Sequence, residues 1–389
     1  MDDHLAQWVR SSIIVSRHKG GDYFRSMIDF RLLAACILLT ASTLHGQQES
    51  QFAHRLDSLR ETYPVPGLSA LVLRGDSIVY QVGFGFADLE DFTPATPQTN
   101  YRIASLTKPI AATLLLQLVE RGELSLQDSM KAIVPGYEEY YQRAAYYIRK
   151  NAPEYAGLVE NFDYTRDDIT VWHHLTHTAQ YVPGDTFSYN GFLYGGLSRV
   201  LEEKWQTPFA ELLQKNILDT LGMEHSAPSQ ESAPPTVLHL LAKPYGYAAD
   251  SGRYQLSAYP EPNVNAGAGI VSNVLDLATF DRAIDHHTLI DPTTQQRAWT
   301  RQHNNAGEQL PYGLGWFVQE DYDGRQLVWH YGWQPGSFSA LYLKLPQQQL
   351  TLILLANSDG LAAPFSALGY QRDVLISPFA RLFVEAFGE

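Results

Sequence analysis

Apolar positions gather at the two ends of the chain in short runs and in its middle at helical spacing. Leu68–Leu73 and Ser77–Val82 are apolar-rich runs separated by Arg74-Gly75-Asp76, which predicts a β-hairpin. Ahead of it, residues 51–63 carry the pattern of an amphipathic helix, and the polar stretch 88–99 after it predicts a loop. Leu197–Lys204, Phe209–Leu218 and Leu275–Ile284 repeat apolar residues at helical spacing. Gln326–His330, Phe338–Leu343 and Leu350–Leu355 return to strand-like runs divided by Gly, Pro and Gln, and Ser377–Phe387 reads as a closing helix. Strands at both ends with helices between them predict an α/β chain of the α+β type. One antiparallel sheet is built from both termini and flanked by helices, with an all-helical subdomain inserted. The expected division is 47–125 plus 310–389 for the sheet domain and 126–309 for the mainly helical subdomain. No internal repeat or low-complexity tract interrupts this order.

The longest helical pattern brings in chemistry. Thr107-Lys-Pro-Ile-Ala-Ala-Thr-Leu-Leu-Leu-Gln-Leu-Val-Glu120 is apolar almost throughout, with Pro109 tolerable only near a helix start and Gly122 a natural stop. Ser105 and Lys108 stand one turn apart at its mouth, close enough to touch. A serine hydroxyl needs an adjacent base to act as a nucleophile, and a partly desolvated amine can be that base. The backbone N–H of Ser105, beside the positive end of the helix, would suit a developing oxyanion. The same spacing also suits a plain N-cap serine with a snorkelling lysine, and this segment alone leaves both readings open. A second Ser-x-x-Lys, Ser16–Lys19, is followed by Gly20-Gly21 and no apolar helix, so it reads as chance.

Length and composition narrow the picture. At 389 residues, with 45% hydrophobic residues, the chain can bury a large core, which excludes disorder. A formal charge of −14 argues against nucleic acid and anionic membranes as partners. The single cysteine, Cys36, excludes an internal disulfide. It lies in the apolar run Leu32–Leu44, too short to cross a bilayer comfortably, preceded by Arg25 and Arg31. Residues 1–46 therefore resemble an export signal or anchor with an overlong start, Met27 being an internal candidate start. Cleavage near Gly46, a lipoprotein box at Leu33–Cys36 and an uncleaved anchor all imply a periplasmic or extracellular protein.

Several segments together resemble a known family. The chain is similar, from about Leu59 to its C-terminus, to serine hydrolases of the class C β-lactamase, penicillin-binding protein and esterase superfamily. Ile103–Pro109 resembles the nucleophile motif, Ile169–Thr178 the stretch before the second motif, and Pro183–Tyr189 the approach to it. Asn265–Ser272 with Asp276-Leu277 resembles a later loop and helix; Tyr312–Trp316 and His330–Gly336 resemble the third-motif region.

The resemblance implies a β-lactamase/transpeptidase-like fold and an acyl-enzyme formed on Ser105. Lys108 and Tyr189 would share the proton work, the phenol lowered in pKa by the nearby ammonium. His330 would stand where lactam-binding relatives carry lysine and many esterase-like relatives carry histidine. The backbone N–H groups of Ser105 and Trp333 would bind the oxyanion, with Gly332, Tyr331 and Asn190 lining the substrate side. No cofactor or metal is implied. Without the resemblance, Tyr189 reads as a buried core tyrosine.

Two departures matter. The second motif is usually Tyr-x-Asn, but the chain reads Tyr189-Asn190-Gly191, so Asn190 could replace the missing amide only if the loop is re-registered. Tyr331 replaces a small hydroxyl residue that commonly helps bind a substrate carboxylate. The resemblance then favours an uncharged small-molecule ester, amide or peptide. Alternatives are a DD-peptidase or β-lactamase of the same fold, or a catalytically weak binding or sensor module. An apparent insertion between Pro135 and Asp168 carries seven tyrosines and is expected to be a packed helical pair, with a binding wall as the alternative. His173, His174 and His177 are expected to pack and to orient loops, since no carboxylate or cysteine set accompanies them for zinc.

Overall fold

The computed structural model describes residues 48–321, 323–365 and 372–388. The chain divides into two units, Met1–Ala53 and His54–Glu389, of which the second is described almost throughout. Of the first, residues 48–53 are described and are helical. The apolar run 32–44, Met27 and Cys36 lie outside the described residues. Among the described residues no helix is long and apolar enough to cross a membrane.

The second unit is built on a seven-stranded sheet. Its strands are β1 (Gly67–Arg74), β2 (Ser77–Asp88), β3 (Thr93–Pro94), β4 (Phe317–Glu320), β5 (Gln326–Gln334), β6 (Phe338–Leu345) and β7 (Leu350–Ala356). The spatial order is β3-β2-β1-β7-β6-β5-β4, antiparallel throughout. The first strands thus pair with the last, Leu68 opposite Ala356 and Arg74 opposite Leu350. Every residue of β6 and β7 is buried, as is all of β1 except Arg74. A strand covered on both faces has no reason to alternate, which is why these segments are near-continuous apolar runs.

Four helices position the site: α1 (Thr107–Glu120), α2 (Tyr137–Asn151), α3 (Gly191–Gly195) and α4 (Val274–Asp285). Apart from Gln117, α1 is buried from Thr107 to Leu118, so it is apolar on every side rather than amphipathic. Burial of each of its leucines contributes about 2 kcal/mol. Pro109 lies in its first turn, and Gly122 follows its end at φ +70°. Helix α4 packs on β1 and β7 and starts from an Asn273 cap whose Oδ1 accepts the Leu275 and Asp276 N–H groups.

The middle of the chain holds more than helices. A hairpin pairs Tyr245–Ala248 with Arg253–Leu256, and the two-residue strand Tyr101–Arg102 pairs with Val271–Ser272. Both are too short and too polar to carry a periodic signal. The insertion forms α2 followed by a 3₁₀ segment, Pro153–Leu158. Tyr137 and Tyr141 are buried, whereas Tyr146 and Tyr147 are 66% and 63% exposed. Its charges suit the helix dipole, with Glu138 and Glu139 in the first turn and Arg149 and Lys150 in the last.

Candidate active site

Ser105 sits in a 3₁₀ turn, Ala104–Leu106, that runs straight into α1. Ala104 has φ +49°, a left-handed conformation uncommon outside glycine and found where the surroundings over-determine the backbone. Those surroundings are the loop before Val271 and strand β5. Ile103 N–H donates to Ile270 O at 3.0 Å. Gly332 of β5 touches the other side: a Cβ there would stand 2.4 Å from Ile103 O and 3.2 Å from Ala104 Cβ. Only glycine lets β5 lie this close to the nucleophile turn. The third-motif strand and the Ser105 turn therefore meet.

Ser105 is half-buried, and Lys108 is fully buried. Lys108 Nζ lies 2.7 Å from Ser105 Oγ and donates to Gly267 O at 2.9 Å. Asn265 Oδ1 holds that loop by accepting the Gly267 N–H at 2.8 Å. Burial is what moves the amine, lowering its pKa from 10.5 to about 7. A neutral amine can keep its N–H on Gly267 O and turn its lone pair to the Ser105 O–H. The arrangement can therefore take a proton from the serine.

Tyr189 is buried beside this pair. Lys108 Nζ stands 5.0 Å from its ring centroid, and Ser105 is close enough to act on the acidity of the phenol. The expected lowering of its pKa does not occur. Burial pushes the Tyr189 pKa well above its ordinary value, helped by Tyr331. The expectation assumed an ammonium beside the phenol, but an amine lowered to about 7 has already lost its charge at the pH where a phenol titrates. Tyr189 is thus a neutral phenol, suited to give a proton rather than to take one. Tyr194, also buried, donates to Lys108 O at 3.2 Å and presents its ring 5.5 Å from Nζ.

His330 lies on β5 opposite Tyr342 and is fully buried. Its Nδ1–H donates to Tyr331 O at 2.8 Å, which leaves Nε2 to accept the Tyr312 O–H at 3.0 Å. Both ring nitrogens are therefore committed away from Ser105. Burial and Lys108 hold its pKa well below 6.5, so the ring is neutral. Around it the rings of Tyr189, Phe317 and Tyr331 lie 5.5–6.1 Å centroid to centroid. Trp333 is half-buried next to Gly332 and opposite Ser339.

Asn190 does not stand in for the missing amide. Its Oδ1 caps α3 by accepting Leu193 N–H at 3.0 Å, and its Nδ2 donates to Leu158 O and Gln180 Oε1, both at 2.9 Å. Three hydrogen bonds hold this amide away from the lysine. Gly191 faces Lys108 instead: a Cβ there would lie 3.6 Å from Nζ, an ordinary contact distance. The lysine consequently lacks one polar neighbour that it would have in a Tyr-x-Asn site.

Sequence reasoning missed two supports of this site. Gln180, 3% exposed, donates to Gly157 O and Glu160 O and accepts from Ser188 Oγ and Asn190 Nδ2. It ties the insertion to the segment that carries Tyr189. Tyr312, which fixes His330, was visible only as part of the Tyr312–Trp316 segment. The three histidines have separate roles: His173 closes a capping box with Thr170, His174 Nε2 meets Tyr137 OH at 3.1 Å, and His177 packs on Tyr189. Among the described residues no cluster of metal-ligating side chains is present.

The family model described as Beta-lactamase matches residues 52–375. The chain is 25% identical over 319 residues to Penicillin-binding protein 4* of Bacillus subtilis (strain 168), covering 78% of this chain and 70% of that protein. It is 24% identical over 329 residues to Protein flp of Staphylococcus aureus (strain MW2), covering 77% of this chain but only 61% of the relative. Among solved structures, the octameric penicillin-binding protein homologue from Pyrococcus abyssi superposes with a TM-score of 0.63 at 22% identity, covering 84% of this chain and 77% of that one. The fold, the order of the motifs and the extent of the family match agree: the chain belongs to the β-lactamase family.

Proposed function

We propose that this protein is an exported serine hydrolase that cleaves an uncharged ester, amide or peptide through an acyl-enzyme on Ser105. The observation that carries the reading is the 2.7 Å approach of a fully buried lysine amine to the serine hydroxyl. Ser105 Oγ attacks the carbonyl carbon while its proton passes to Lys108 Nζ. The tetrahedral oxyanion is held by the backbone N–H groups of Ser105 and Trp333. As the carbonyl re-forms, the bond to the leaving group breaks, and the Tyr189 phenol protonates that group and regains its proton from Lys108. Water then attacks the acyl-enzyme in the same way, and the acid is released with Ser105 restored.

Substrate charge follows from the third-motif strand. A lysine there would offer a permanent cation to a substrate carboxylate. His330 is neutral and fully buried, with both ring nitrogens bonded within the protein, so it offers a substrate carboxylate no cation. Taking a carboxylate out of water without a paired cation is costly. Purified protein is therefore expected to turn over p-nitrophenyl butyrate with a kcat/KM at least about 100-fold above that for benzylpenicillin, a difference of about 2.7 kcal/mol. The reverse order would replace this reading with a DD-peptidase or β-lactamase. A single stoichiometric burst on both substrates would replace it with a sensor. Export rests on the 1–46 segment and is tested by the mass of the mature N-terminus.

A further inference from the structure

Tyr189 has a demanding position to keep. Its hydroxyl is buried and forms no hydrogen bond of full geometry, so it is aimed by ring packing and by the main chain that carries it. The main chain on either side of it is fixed by one residue. His177 O accepts the Ser188 N–H at 2.8 Å, and His177 Nδ1 accepts the Asn190 N–H at 3.1 Å. The imidazole also backs the phenol directly, with ring centroids 4.4 Å apart at 35°. Its neighbour Tyr194 stacks 5.1 Å away at 30°. His177 is 3% exposed and adopts φ +58°, a left-handed conformation that a non-glycine residue takes only when its surroundings impose it.

We propose that His177 is a positioning residue: its carbonyl and Nδ1 grip the backbone on both sides of Tyr189 and its ring backs the phenol, which sets the hydroxyl against Ser105. Nδ1 must accept from Asn190, so the ring proton resides on Nε2 and the imidazole acts as an acceptor towards the loop. The proposal rests on Ser105 being the nucleophile. It assigns to His177 no proton transfer and no contact with substrate.

Three variants test it with p-nitrophenyl butyrate. His177→Phe keeps the ring and removes the acceptor, which leaves a buried N–H unpaired. His177→Asn restores an acceptor at the reach of Nδ1, and asparagine tolerates the left-handed backbone. Tyr189→Phe removes the phenol hydroxyl. His177→Phe is expected to lower kcat by about tenfold or more with KM within about twofold, and His177→Asn to recover most of the loss. In a Tyr189→Phe background, His177→Phe is expected to change kcat by less than about twofold, since a residue that acts through the phenol costs little once the hydroxyl is gone. Equal costs of His177→Phe with and without Tyr189 would overturn the clamp, as would a loss confined to KM. If His177→Phe does not fold, His177→Ala against His177→Asn decides: a loss in kcat of about tenfold or more with alanine that asparagine largely recovers supports the clamp, and equal kcat for the two contradicts it. Wild-type protein without turnover would overturn the hydrolase reading and the clamp with it. Turnover that ignores His177 overturns the clamp alone.

Discussion

Ser105→Ala is expected to lower kcat for p-nitrophenyl butyrate by about 10³-fold or more, to the background of the folded protein. The expectation comes from the division of roles within the site. Lys108 and Tyr189 move protons, but only Ser105 Oγ can form the bond to the acyl carbon. The substitution should leave folding intact. Ser105 is half-buried, its side chain is small, and Lys108 keeps Gly267 O as a partner. Circular dichroism and the melting temperature are therefore expected to match wild type. A variant that keeps more than about a tenth of wild-type kcat would exclude Ser105 as the nucleophile.

Lys108→Met is expected to lower kcat by about 10²- to 10⁴-fold, the ordinary contribution of a general base. The same residue sets the pH dependence. Burial lowers the amine from 10.5 to about 7, and only the neutral form can accept the serine proton. Wild-type kcat/KM should therefore climb about tenfold per pH unit below this pKa and level off above it. A profile that is flat from about pH 5.5 to 9, or a Lys108→Met variant with near-normal kcat, would remove the lysine from the mechanism. Stability carries the same signature with a definite sign. Below pH 7 the folded state holds a buried cation and bears its full cost. As pH rises from about 7 towards 10.5, the folded form has released its proton while the unfolded form still binds one, so this residue's contribution to stability improves across that window.

The sheet and the long helix were legible because their physics is local. Strands buried on both faces must be apolar throughout, and α1, buried almost all round, must be too. Ser105 and Lys108 were legible because one helical turn places them together. Pairings of distant segments were not legible from spacing. Nothing local says that Gly332 must fit against Ile103 O, or that Gln180 reaches back to Gly157 and Glu160. The acidity of Tyr189 was misjudged for a related reason. A charge state depends on the solvent excluded by the whole fold, and the sequence shows the lysine without showing that it is buried. Asn190 shows the limit of motif reading: its amide serves the start of α3, while Gly191 occupies the place beside the lysine.

Gly191 also points to how the site could be retuned, since an added amide there would stand within reach of Lys108 and favour its charged form. Whether the site is acylated at all comes first. Incubation with a fluorophosphonate ester, followed by intact-mass measurement and peptide mapping, gives the most direct answer. One phosphonyl group per chain is expected, attached to the peptide that contains Ser105, with displacement of fluoride and no adduct on Ser105→Ala. An unmodified wild-type protein, or an adduct on any other residue, would contradict it.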